Sequence, residues 1–245
     1  MKIIATALAL LALMYASIVH AHTLSFAVKS KYVLSKGVEV YDKPVAQTDL
    51  LLNLPHGFCF DLFWSTSLDN ADFNSDFGDE INWTLCWSGV WRSVAIDLGV
   101  GYLDLVDLFS LNGGDVIQPY MVVTRPFSLN NAHTIAPYFR LEAEFPIKWD
   151  GLDARKGVHI FVGASHLWQL FPDWLVTSKL ALVYDTGTFT QHDAGMLVNY
   201  EMSIGWNINP ELRLDLATYR LSVPLSVHDR GTENIFGGGV SYSFP

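Results

Sequence analysis

Bulky apolar residues alternate with small or charged ones along most of this chain, and no other feature limits its fold as much. In Glu80–Trp87, Ile81, Trp83, Leu85 and Trp87 share one face, while Glu80, Asn82, Thr84 and Cys86 share the other. Tyr138–Phe145, Asn199–Trp206 and Arg213–Ala217 repeat the pattern. A period of two means β-strand, because a helix would group apolar residues three and four apart. Half of the 245 residues are apolar and 16% are charged, against roughly 25% charged in an average soluble protein. That content excludes a disordered chain. Beyond the first few residues, no window holds the 18 or more apolar residues of a spanning helix. A chain this hydrophobic without such a window has distributed its apolar residues on one face of many strands.

Twelve strands are predicted, near 23–34, 46–54, 58–67, 79–88, 91–104, 115–125, 133–145, 157–170, 174–185, 195–207, 210–221 and 234–244. Short links fall at Pro55-His56-Gly57, Gly89-Val90, Pro126 to Ala132, Phe171-Pro172-Asp173 and Ile208-Asn209. Longer polar links fall at 35–45, 68–78, 105–114, 146–156, 186–194 and 222–233. Tight turns at one end and long loops at the other are the rhythm of an antiparallel transmembrane barrel. Tryptophan and tyrosine recur near strand ends (Trp64, Trp87, Tyr102, Trp168, Trp174, Tyr184, Trp206), where interfacial girdles place them. The competing fold, a soluble periplasmic β-domain, would bury the same apolar face in a core.

The N-terminus reads as an export signal. Lys2 precedes an apolar run from Ile3 to Leu13, and Val19-His20-Ala21 offers a cleavage site after Ala21. Residues 1–21 are therefore expected to be a signal peptide and 22–245 one all-β domain. Without Lys2 the mature chain carries 14 basic and 25 acidic residues, net −11. That balance argues against a nucleic-acid partner. The final residues, Val240-Ser241-Tyr242-Ser243-Phe244-Pro245, resemble the C-terminal assembly signal of bacterial outer-membrane barrels, an amphipathic strand closing on an aromatic residue. Pro245 after the aromatic is the departure. The resemblance implies an outer-membrane location, contact with its lipid and lipopolysaccharide, and handling by the barrel-assembly machinery.

Ser25 to about Leu105 also resembles the N-terminal half of the TorF-like porins. The residues that carry the likeness are Ser30-Lys31-Tyr32-Val33, Gly37, Pro44, Gln47, Gly57-Phe58, Trp64-Ser65 and Asp79-Glu80-Ile81. Lys36 stands where that family commonly has arginine. The resemblance covers about a third of the chain, implies a porin-like barrel and brings no catalytic residue with it.

With the apolar face on lipid, the opposite face defines a lumen. Its acids are Asp49, Asp61, Glu80, Asp97, Glu142, Glu144, Asp185, Glu201 and Asp215, and its bases Lys29, Lys31, Arg140, Lys179 and Arg213. Nine acids against five bases predict a passive pore for small polar solutes or ions, with a mild cation preference. The alternative is a narrow barrel whose charges pair across and fill it, leaving a non-conducting structural or interaction protein. Cys59 and Cys86 fall on the lumen face of neighbouring strands, where an oxidising envelope permits a disulfide; two free thiols are the other reading.

The remaining chemistry is sparse, and neither a metal nor a cofactor is expected. His56, His133, His159, His166, His192 and His228 show no metal-ligand spacing on one face. Ser165 and His166 are adjacent and point oppositely; His192 or His228 with Ser222 or Ser226 is the remaining arrangement for a rim-located lipid enzyme. An enzyme is not expected. Asp69, Asp72, Asp76 and Asp79 lack the ordered spacing of a calcium loop and read as a solvated acidic loop. Gly237-Gly238-Gly239 lies inside the last strand, which suits a bend or close approach at a barrel seam.

Overall fold

The structure is a computed structural model that describes residues 22–69, 79–105, 115–147, 156–187, 194–227 and 230–245. The expected signal peptide lies outside these, as do Asp72, Asp76, His192 and His228. The elements are β1 (His22–Lys29), β2 (Tyr32–Val33), β3 (Glu39–Tyr41), β4 (Val45–Asn53), β5 (Phe58–Ser67), β6 (Glu80–Trp91), β7 (Val94–Asp104), β8 (Val116–Thr124), β9 (Phe127–Asn130), β10 (His133–Pro146), β11 (Gly157–Phe171), β12 (Trp174–Asp185), β13 (Gly195–Asn207), β14 (Leu212–Pro224) and β15 (Glu233–Phe244). Thirteen strands share one sheet. Among them β9 pairs with β10 alone, and the other twelve close into an antiparallel barrel. The seam joins β1 to β15, from His22 opposite Phe244 to Lys29 opposite Gly237.

The barrel is built inside out. Leu24, Phe26, Leu85, Val100, Val162, Leu180 and Phe236 are exposed, while Glu80, Glu142, His159, Asp185 and Lys36 are fully buried. That is the arrangement of a barrel whose outer surface meets lipid. Trp174 stacks on Trp206 with ring centroids 6.1 Å apart at the end with short turns, the turn end. At the opposite, loop end, Trp83 packs on Tyr102 at 5.5 Å.

Three expectations need correction. The first strand leaves the wall after Lys29 instead of running to residue 34, and β2–β3 form a separate small hairpin. The link expected at Gly89-Val90 is strand; the turn is Arg92-Ser93, both at positive φ (48° and 67°), between paired Trp91 and Val94. A two-residue turn with both φ positive matches the twist of its strands. Gly89 stays in β6 because the Trp87 indole lies over it, where a Cβ would come within 2.4 Å of the ring.

The link expected at Pro126 to Ala132 is the third, since Phe127–Asn130 form β9 and pair with β10. Strand β14 carries a bulge. Asp215 pairs with Gly239 and Thr218 with Gly237, so Leu216 and Ala217 together face Gly238 alone. This bulge adds one residue and shifts the phase of everything after it. Strict alternation puts Arg220 on the lipid side; the bulge turns it inward.

Candidate functional site

Residues 30–44 fold from the loop end into the lumen, and this segment organises the interior. Gly37 sits at its tip with φ +76°, and a Cβ there would lie 3.2 Å from Ser222 Oγ and 3.3 Å from Leu197 Cδ2. Glycine is needed both for the left-handed conformation and for the approach to the wall. Buried backbone carbonyls require donors, and the wall supplies them. Arg220 donates to the carbonyls of Val33 (3.1 Å) and Leu34 (2.6 Å), Asn199 to that of Ser35, and Arg230 to that of Lys36 (2.7 Å). Lys36 donates to both carboxylate oxygens of Glu144 at 2.8 and 2.7 Å and is 2% exposed. Tyr32 donates its hydroxyl to Glu80.

Around this segment the loop-end charges are linked. Arg230 donates to Asp185 at 2.6 Å, and His159 lies 3.3 Å from Asp185 and 3.6 Å from Glu142. Arg140 pairs with Glu142, and Gln118 donates to Glu144 at 3.2 Å. At the hairpin base Lys31 pairs with Glu39 and Glu233. Burial works against the Lys31 ammonium, but those two bonds outweigh it and hold its pKa above the ordinary lysine value. Removing one member of a buried pair strands the other charge, so the linkage fixes the segment in place.

Below the hairpin the lumen opens. A cavity of about 480 Å³ has Tyr32 and Val33 on its roof, Lys29, Lys179, Glu201 and Arg220 on its walls, and serine and threonine hydroxyls between them. Glu201 lies 3.6 Å from Arg220, and Asp215 accepts from Arg213 at 2.8 Å. Lys179 Nζ stands 5.0 Å over the Tyr138 ring, and the Arg140 guanidinium 5.6 Å from both the Tyr120 and Phe161 rings. Among the described residues no ion pair within 4 Å joins Lys29 or Lys179 to a carboxylate, or Asp49, Asp61 or Asp97 to a cation.

The structure thus places Lys29, Asp49, Asp61, Glu80, Asp97, Arg140, Glu142, Glu144, Lys179, Asp185, Glu201, Arg213 and Asp215 on the inward phase of barrel strands, with Lys31 at the hairpin base. Four further charged or titratable groups enter the interior. His159 follows the alternation of β11, Arg220 is turned in by the bulge, and Lys36 and Arg230 enter from loops that sequence pattern cannot orient. Cys59 and Cys86 are register partners on β5 and β6, with Cα atoms 4.8 Å apart, and are joined as a disulfide.

The other sequence features lie apart. Ser165 faces inward near the Ala136 carbonyl (3.5 Å), whereas His166 stacks on His133 with nitrogens 3.0 Å apart. Ser222 donates to Asn199, and Ser226 accepts the Met196 amide at 2.9 Å. Asp69 pairs with Lys43 at 2.6 Å, and Asp79 accepts the Ser67 amide at 3.0 Å. Gly237 and Gly239 lie where a Cβ would come within 2.5 Å of the Val28 and Phe26 carbonyls of β1, so the seam closes on bare backbone.

Comparison with known structures gives the same architecture. A NanC porin aligns with TM-score 0.57 and 10% identity, over 91% of this chain and 100% of that one. A KdgM porin aligns with TM-score 0.55 and 11% identity, over 91% and 99%. An outer membrane channel from Pseudomonas putida F1 aligns with TM-score 0.54 and 11% identity, over 94% and 98%. No family model matches the sequence, and no curated protein matches it. At these identities the likeness is one of fold: a twelve-stranded outer-membrane barrel.

Proposed function

We propose that this chain is a bacterial outer-membrane porin through which small polar solutes and ions diffuse passively, its bore set by the folded-in segment 30–44. On this reading residues 1–21 are its export signal, the chain belongs with the TorF-like porins, and its partners are lipid, lipopolysaccharide and the assembly machinery. It is a channel and not an enzyme. The observation that carries it is the lumenal cavity of about 480 Å³ beneath a hairpin whose carbonyls are bonded to the wall. Filler residues would close such a space; here charged and hydroxyl groups line it instead. Barrels of the same fold are porins and channels, among them a KdgM porin in complex with disordered oligogalacturonate. Lys36, Arg220 and Arg230 add to the buried cations and Asp79, Asp104 and Asp115 to the buried acids, so the acidic excess stays small and the cation preference mild.

The bonded hairpin also favours a second reading, a closed barrel that serves the envelope structurally. Planar-bilayer recording separates the two. The refolded barrel is expected to give small discrete current steps that reverse on the cation side of a salt gradient, and larger steps when residues 32–41 are replaced by a short glycine-serine turn. Silence from folded, inserted wild type alongside steps from the shortened barrel would establish the closed barrel, and silence from both would end the porin reading.

A further inference from the structure

Both anchors of Lys36, at the tip of the folded-in segment, end on carboxylates that face one histidine. The Lys36 ammonium is held by Glu144, and the Lys36 carbonyl by Arg230, which also donates to Asp185 Oδ2. Behind both stands His159 of β11. Its Nε2 lies 3.3 Å from Asp185 Oδ1, and its Nδ1 lies 3.6 Å from Glu142 and 3.7 Å from Glu144. Among the described residues, the charged groups gathered here are Arg140, Glu142 and Glu144 of β10, Asp185 of β12, Lys36 of the segment and Arg230 of the loop before β15. His159, Glu142 and Asp185 are fully buried, so bulk water does not screen them from one another.

An ionised carboxylate only accepts hydrogen bonds, whereas a neutral imidazole has one N–H and one lone pair. With carboxylates on both sides of the ring, a neutral His159 aims its lone pair at one of them. Only the doubly protonated ring meets both sides with an N–H. A proton lost from Nδ1 turns the ring against Glu142 and Glu144, and so against the hold on the Lys36 ammonium. A proton lost from Nε2 turns it against Asp185, and so against the hold of Arg230 on the Lys36 carbonyl. We propose that His159 is a proton-operated latch: doubly protonated, it keeps the segment pinned across the bore, and losing one proton releases the tip and widens the passage. The latch rests on the porin reading and adds its regulation. Imidazole is the side chain whose ordinary titration falls between pH 5 and 8. The other described histidines lie elsewhere, His133 and His166 on each other and His22 and His56 at the turn end.

The test is single-channel recording of wild type from pH 5 to pH 9 at constant salt. The time spent in large relative to small steps is expected to rise with pH, by up to about tenfold per unit, the limit for one proton. His159→Gln, neutral at every pH, should hold the large step throughout. Replacing residues 32–41 by the glycine-serine turn keeps His159 but removes what it latches, and should give large steps that ignore pH. Heat-modifiable gel mobility confirms that each barrel is folded; should His159→Gln fail to fold, the shortened barrel decides. Wild-type steps of unchanged size and occupancy across the range would overturn the latch while leaving the pore standing. So would a pH response that survives in His159→Gln or in the shortened barrel, since it then comes from another group or from charge alone. Wild type silent at every pH beside a conducting shortened barrel would establish the closed barrel and end the latch. Silence from all three folded, inserted barrels would remove the pore itself, and the latch with it.

Discussion

The two ends of the lumen treat charge in opposite ways. At the loop end, polypeptide backbone enters the barrel, and nearly every polar group there has a named partner: Lys36 with Glu144, Arg230 with Asp185 and the Lys36 carbonyl, Arg220 with two carbonyls. Toward the turn end, Lys29 and Lys179 line an open cavity with no carboxylate in ion-pair reach among the described residues. Pairing therefore follows desolvation. A buried carbonyl or ammonium without a partner costs several kcal/mol, of order 1–3 for a neutral group and more for a charge; a charge facing water carries no such cost. The loop end is held by its polar contacts, whereas Lys29 and Lys179 stand against open space.

The bulge of β14 joins these two regimes, since Asp215 precedes it and Arg220 follows it. Deleting Ala217 is the largest perturbation we expect. Without the extra residue, Thr218, Arg220 and Ser222 turn toward lipid, or Arg213 and Asp215 do so in their place. An arginine near the bilayer midplane costs about 2–4 kcal/mol, and the carbonyls of Val33 and Leu34 lose their donor. Folding into lipid vesicles, followed by heat-modifiable gel mobility, should fall to a small fraction of wild type. Normal assembly would show that the phase shift is dispensable.

Lys36→Met follows in size. It leaves Glu144 buried without its main cation, an expected loss of about 3 kcal/mol in chemical unfolding from vesicles. Single-channel conductance should rise as the hairpin loosens. Lys36→Met/Glu144→Met should recover most of the stability, because an apolar pair can replace a buried ionic one, but not the wild-type conductance. A double variant no more stable than the single would mean that the loss does not come from the stranded carboxylate.

At the turn end, the Cys59–Cys86 bridge closes a sequence separation of 27 residues. Constraining a chain of that length in the unfolded state contributes at most about 3.5 kcal/mol. Cys59→Ala/Cys86→Ala should lower the unfolding midpoint and leave the conductance unchanged, because the bridge touches no part of the folded-in segment. A changed conductance would bring the bridge into the passage.

Much of this was legible before any coordinates. Each of the twelve barrel strands overlaps a segment in which side chains alternate, since one-sided burial against lipid writes itself directly into the sequence. The inward phase of Asp61, Glu142 and Lys179 follows from the same count. The unreadable parts each have a physical reason. Lys36 and Arg230 sit in polar stretches that look alike whether they reach into solvent or into the barrel. Arg220 was hidden by the two residues Leu216 and Ala217 facing one glycine, a shift visible only once Gly238 is known to lie opposite. The real turn at Arg92-Ser93 was masked by Gly89, a residue that breaks strands unless an aromatic ring covers it.

The smallest expected effect completes the contrast with Lys36. Lys43, near the other end of the same loop, pairs with Asp69 at 2.6 Å, but its side chain is more than half exposed. The Lys43 ammonium, with the Tyr41 hydroxyl, holds the Asp69 carboxyl below its ordinary pKa, and Asp69 in turn raises that of Lys43. A lowered carboxyl favours the folded state above its unfolded pKa, about 3.9, and that share fades as the pH falls through the lowered value. A raised lysine favours the folded state below its unfolded pKa, about 10.4, and that share fades as the pH climbs through the raised value. Between those limits both shares are constant, and solvent screening keeps them slight. Lys43→Met should therefore leave unfolding midpoints at pH 5, 7 and 9 within error of wild type, with conductance unaltered. If it destabilised the barrel as much as Lys36→Met does, location inside or outside the lumen could no longer explain why one lysine of this loop matters and the other does not.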